Sequence, residues 1–181
     1  METVKPIVPS RDQFEVLRGI AGAGFDYSAT KRLCSAAGWQ LVEDEPDVGF
    51  VQYSLWVGQG FEDRRLLSVG TPEIDGAPHV YLPLFYFPED EAADPEENER
   101  SPFDEAYRHL SDGIGVMLGE PQRSGTYEYP HRSGWSYSFR KWRIPEVQVI
   151  LLQDEHDIQF GMDVSLWLFP AEPDISVPLP Y

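Results

Sequence analysis

Asp157-Ile158-Gln159-Phe160-Gly161-Met162-Asp163-Val164-Ser165-Leu166-Trp167-Leu168-Phe169 carries Ile158, Phe160, Met162, Val164, Leu166 and Leu168 in unbroken alternation. A period of two places all six on one face of a β-strand. Asp157, Gln159, Asp163 and Ser165 fall between them, so the pattern predicts a strand whose second face meets water. That points to an antiparallel sheet rather than to a parallel sheet covered by helices on both sides.

Working back from this strand, Trp135 to Trp142 and Glu146 to Gln153 read as two more, separated by Pro145, with Asp154-Glu155-His156 as the short connection into the last. Such close spacing favours a meander of antiparallel neighbours. Before them, Ser101-Pro102-Phe103-Asp104 predicts a helix start, with serine as the cap, proline at its first position and an acidic first turn. Phe103, Tyr107, Leu110, Ile114 and Met117 make one apolar stripe for a sheet to cover. Gly113 and Gly115 lower helix propensity and would allow close approach to that sheet.

The first half repeats the theme. Ser10-Arg11-Asp12-Gln13 has capping-box spacing ahead of Phe14, Leu17 and Ile20, and Asp26 is placed to cap a second helix over about Tyr27 to Ala37. Phe50 to Val57, Arg65 to Val69 and His79 to Phe87 read as strands. Pro83 puts the last of these at an edge or a bulge. The expected fold is α+β, a predominantly antiparallel sheet with helices mainly on one face, compatible with a duplicated arrangement of helix and three strands. It is read as a single domain over 1–181, with structural halves 10–88 and 101–170 joined by an acidic connection at 89–100.

The chain has 181 residues, 41% of them hydrophobic and 13% aromatic, enough for a real core. With 31 acidic against 14 basic side chains the net charge is -17, which repels nucleic-acid phosphates and favours a basic protein partner at long range. The same charge also serves to keep a protein dissolved. The single cysteine, Cys34, excludes an internal disulfide framework and reads as a small apolar residue in a helix. No leader of signal-peptide type and no stretch of membrane-spanning length is found, so the expectation is a cytoplasmic protein with no membrane contact.

Catalytic signatures are absent from the sequence: there is neither a dinucleotide-binding nor a phosphate-loop glycine pattern, and His79, His109, His131 and His156 form no ligand pair. Asp154-Glu155-His156-Asp157 is the densest group of acids and bases, read as a solvated turn rather than a metal or proton-transfer site. No metal, cofactor or catalytic residue is therefore assigned. Two stretches stand out as candidates for partner binding. One is the acidic run of Glu89, Asp90, Glu91, Asp94, Glu96, Glu97 and Glu99, which cannot build a core. The other is the strand holding Trp135, Arg140, Trp142 and Arg143, whose aromatic residues either pack beneath a helix or form an exposed patch beside basic groups.

In helix and strand order over roughly residues 10 to 170, firmest from Trp135 through Val164-Ser165-Leu166-Trp167-Leu168, the chain resembles small acidic uncharacterised actinobacterial α+β proteins and the immunity proteins of polymorphic-toxin systems. The resemblance implies a noncatalytic protein that binds and blocks a toxin or effector. No residue motif comes with it, and no binding residue is carried over. The alternatives are a secretion-type chaperone or adaptor, and a small hydrolase or metal-dependent enzyme; the oligomeric state is open.

Overall fold

A computed structural model of the chain describes residues 5–48, 51–58, 66–68, 77–87, 100–128, 135–154 and 162–179. Helices α1 (Arg11–Gly22) and α2 (Tyr27–Ala36) precede strands β1 (Gln40–Val48), β2 (Val51–Val57), β3 (Leu66–Ser68) and β4 (Val80–Phe87). Helix α3 (Ser101–Leu118) then leads to β5 (Arg123–Glu128), β6 (Ser136–Ile144), β7 (Val147–Asp154) and β8 (Met162–Pro170). The strands form one eight-stranded sheet in the order β1-β2-β3-β4-β8-β7-β6-β5. The registers of β1 with β2, β2 with β3, β3 with β4 and β5 with β6 are all antiparallel. The class is α+β with an antiparallel sheet.

By contacts the chain divides into two compact units: Met1–Val8 with Pro83–Trp142 and Ile150–Leu166, and Pro9–Leu82 with Arg143–Val149 and Trp167–Tyr181. In the second unit the predicted capping box closes: Ser10 Oγ accepts the Gln13 amide at 3.2 Å while Gln13 Oε1 accepts the Ser10 amide at 2.7 Å. Asp26 caps α2 by accepting the Ala29 amide at 2.7 Å. Phe14, Leu17 and Ile20 of α1 are buried, as are Thr30 and Cys34 of α2. The end of the chain is held by Gln148, wholly buried on β7. The two N–H groups of its Nε2 are shared among the carbonyls of Pro170, Ala171 and Pro173, and its Oε1 accepts the Ile175 amide at 3.0 Å.

In the first unit α3 buries Phe103, Tyr107, Leu110 and Ile114 of the predicted stripe. Its start differs from the expectation. Arg100 is the cap position and Ser101 already lies inside the helix, with its hydroxyl toward Glu105 at 3.5 Å, so no side chain caps this end. The reason for a glycine at 113 also differs: a Cβ there would come within 2.7 Å of both methyls of Val8, so the close neighbour is the N-terminal lead-in. Gly115 has open space around that position.

The largest correction concerns β8. Every residue from Met162 to Phe169 is buried, including Asp163 and Ser165, which alternation had assigned to water. Neighbouring β7 is buried along its whole length as well. Both faces of these two strands are therefore covered, so the alternation that marks a strand with one wet face does not describe them. Asp157 and Gln159 fall outside the described residues. Two strands not predicted as such, β1 and β5, are the two at the ends of the order, so each run of strands has four members rather than three. Pro83 sits in β4, between β3 and β8 in the order and not at its edge; the register with β3 covers only Val80 and Tyr81, and the Leu84 carbonyl accepts the Ile7 amide at 3.1 Å.

Candidate functional site

The nominated strand residues part company. Trp142 is 2% exposed, and its indole N–H donates to the Gly119 carbonyl at 2.9 Å, just past the end of α3. It is a core residue with its one polar atom satisfied and presents no surface to a partner. Tyr137 and Phe139 are buried too. Arg143 is exposed and paired with Glu172, while Arg140 is half-buried and its charge acts on the Tyr107 hydroxyl. A strand alternates its side chains, so consecutive basic residues do not gather into one patch. Lys141 is buried. The carboxylates of Glu89, Asp90, Glu91, Asp94, Glu96, Glu97 and Glu99 lie outside the described residues.

Trp135, half-buried, is the nominated residue that the structure sets in an organised environment. The Arg100 guanidinium lies 5.0 Å from its ring centre and 5.7 Å from that of Tyr137, within the range of cation–π attraction. Arg100 is fixed from two sides. Its Nε donates to both oxygens of Asp104, at 3.1 and 3.0 Å, and its Nη2 donates to the Ser136 carbonyl. Asp104 also accepts from Gln153 Nε2 at 2.9 Å, and Gln153 Oε1 accepts the Ser138 amide at 2.8 Å. The Gln153 carbonyl in turn accepts the Tyr127 hydroxyl at 2.6 Å, with Asp154 Oδ1 at 3.4 Å from the same hydroxyl.

A continuous polar chain thus ties the first turn of α3 to β5, β6 and β7. Gln153 and Asp154 are almost completely buried, so each link satisfies a group that would otherwise be costly in a low-dielectric setting. The sequence signal was available for only part of it: Arg100 and Asp104 stand four apart, the spacing of a helical ion pair. Gln153 and Tyr127 gave none, because their partners are far away in sequence.

The remaining polar groups serve packing. Burial pushes the Cys34 thiol up to about 12. It also pushes the Tyr107 hydroxyl up to about 12, against the opposing pull of the Arg140 charge. His79 packs at a tilt against Trp167 and Phe169, with ring centres at 5.3 and 5.6 Å, and the Tyr81 ring centre lies 4.6 Å from that of Trp167. His109 is exposed on α3, whereas His131, His156 and the Glu155 to Asp157 part of the acidic turn fall outside the described residues. Among the described residues no three of His, Cys, Asp and Glu are grouped to hold a metal ion, and no helix is long and apolar enough to cross a membrane. No protein family, curated protein or solved structure matches the chain.

Proposed function

We propose that this chain is a noncatalytic cytoplasmic protein-binding module whose partner is a basic protein, of the kind represented by a toxin or effector held inactive by its binder. The observation that carries the reading is the net charge of -17. Arg18, Arg100, Arg108 and Arg143 each lie within salt-bridge distance of a carboxylate of the chain itself, so these four do not stand as isolated positive charges. An excess of this size accelerates encounter with a positive surface and disfavours a nucleic-acid backbone. Trp135, backed by the fixed Arg100, is the proposed anchor, and the acidic run at 89–99 the proposed steering element.

The partner to test is the product of the gene adjacent to this protein's own. Calorimetry at low and at physiological salt should give binding that weakens as salt rises. Replacing Glu89, Asp90, Glu91, Asp94, Glu96, Glu97 and Glu99 together with neutral residues should slow association and flatten its salt dependence, with the melting temperature held. Absence of binding at both salt concentrations would reject this pairing. Binding with an unchanged on-rate in the neutralised variant would remove the steering role.

A further inference from the structure

We infer that β5 is a self-docking edge, through which two copies of this chain pair antiparallel about a two-fold axis that passes at Thr126. The strand ends the sheet order, and five of its six residues are exposed, Tyr127 being the exception. Its pairing with β6 runs without a shift from Arg123 opposite Lys141 to Glu128 opposite Ser136. Among the described residues no backbone hydrogen bond is made along its outer side.

The direction of the free groups follows from β6. The Ser138 amide donates to the side chain of Gln153, which belongs to β7 on the far side of β6 from β5. Ser138 and its opposite residue Thr126 are therefore a pair that does not exchange hydrogen bonds. In an antiparallel ladder such residues aim their N–H and C=O outward, and the property alternates along the strand. Ser124, Thr126 and Glu128 thus present donors and acceptors to the open edge.

The opposite edge is unlike it. Strand β1 contains Pro46, two register irregularities and the acidic residues Glu43, Asp44, Glu45 and Asp47, the features by which sheet edges are kept from pairing. Strand β5 has no proline, no irregularity, and one charge of each sign in Arg123 and Glu128. The excess of acid that would hold two copies apart is therefore not concentrated here.

A second copy fits this edge in a definite register. A two-fold axis normal to the sheet keeps each face on its own side, so only residues of equal parity can stand opposite one another. Centring it on Thr126 sets Thr126 against its own symmetry mate as a hydrogen-bonded pair, and Ser124 against Glu128 of the other copy on the same face. Threonine pairs are favourable across strands, and the Ser124 hydroxyl can donate to the carboxylate of the opposing Glu128. Repulsion between two chains of charge -17 opposes the contact, so association should strengthen as salt is added. This is the reverse of the salt dependence expected for a basic partner, and it stands whether or not such a partner exists.

Sedimentation of the full chain across a concentration series, at low and high salt, should show a monomer–dimer equilibrium shifted toward dimer by salt. Thr126→Pro removes an outward N–H without touching the ladder to β6 and should abolish the dimer while leaving the circular dichroism unchanged. A cross-linking pair reads the register even if the proline variant folds poorly. Thr126→Cys places its two symmetry mates at the Cα spacing of about 5.5 Å found in a hydrogen-bonded pair, within reach of a short thiol-to-thiol cross-linker. Ser124→Cys leaves its mates about 13 Å apart along the strand. With a thiol-to-thiol cross-linker too short to span about 13 Å, the first should form a covalent dimer and the second should not. A chain that stays monomeric under all conditions, or equal cross-linking at both positions, overturns the inference.

Discussion

Single residues divide by whether their polar atoms are met inside the fold. Trp142 has its ring buried and its N–H bonded, so Trp142→Ala should destabilise the free protein by about 3–5 kcal/mol in chemical denaturation. Trp135→Ala, half-buried beside Arg100, should leave folding far less affected and weaken partner binding by about 2 kcal/mol or more. A severe folding defect in the second variant would return Trp135 to the core. Cys34 supplies a pH test. Its folded value of about 12 lies above the ordinary 9.0, so the stability it contributes is intact below pH 9 and is lost as pH rises from 9 toward 12. Between about pH 8 and about pH 10.5 this amounts to roughly 2 kcal/mol. Urea unfolding should show that loss in the natural chain and a smaller one in Cys34→Ala, with Tyr107 adding its own decline above pH 10.

At the scale of elements, the helices were the most legible. Ser10 with Gln13, Asp26, and the Phe103 to Ile114 stripe all act as their spacing predicts, because caps and helical stripes are local properties. What escaped notice depended on distant partners. Ser101 reads as a cap until Arg100, drawn to Asp104 and Ser136, takes that position. Strand β5 is Arg-Ser-Gly-Thr-Tyr-Glu, too polar and too short of β-branched residues to be recognised, and is defined by its ladder to β6. Gly113 tests how tightly α3 is packed. Alanine there should raise helix propensity by up to about 1 kcal/mol, yet its Cβ meets both Val8 methyls at 2.7 Å. Gly113→Ala should therefore lower the thermal midpoint, through overpacking of about 1–3 kcal/mol. Val8→Ala in the same chain should recover part of the loss. A Gly113→Ala variant more stable than the natural chain would show that Val8 yields freely.

For the whole molecule, the class could be read from alternation in β8, but the environment of that strand could not. Asp163 and Ser165 carry the sequence pattern of a wet face and are buried, because whether a face is covered depends on what packs over it and not on the strand's own pattern. The candidate site shows the same division. Trp135 was visible as an aromatic residue, while the Gln153 and Tyr127 links that hold Arg100 beneath it arise only when α3, β5, β6 and β7 meet.

The strand order β1-β2-β3-β4-β8-β7-β6-β5 also bears on how the protein is made. Each outer run is a meander of chain neighbours, able to form soon after its residues are synthesised. The seam at the middle joins β4 to β8, elements separated by about two-fifths of the chain. While the chain emerges from the ribosome, β4 waits with an unpaired side until Met162–Pro170 follows, and closing so long a loop is slow. The interval between translation of Phe87 and of Pro170 is thus when this sheet is most open to wrong pairing. A translational pause between them would expose the nascent chain longest.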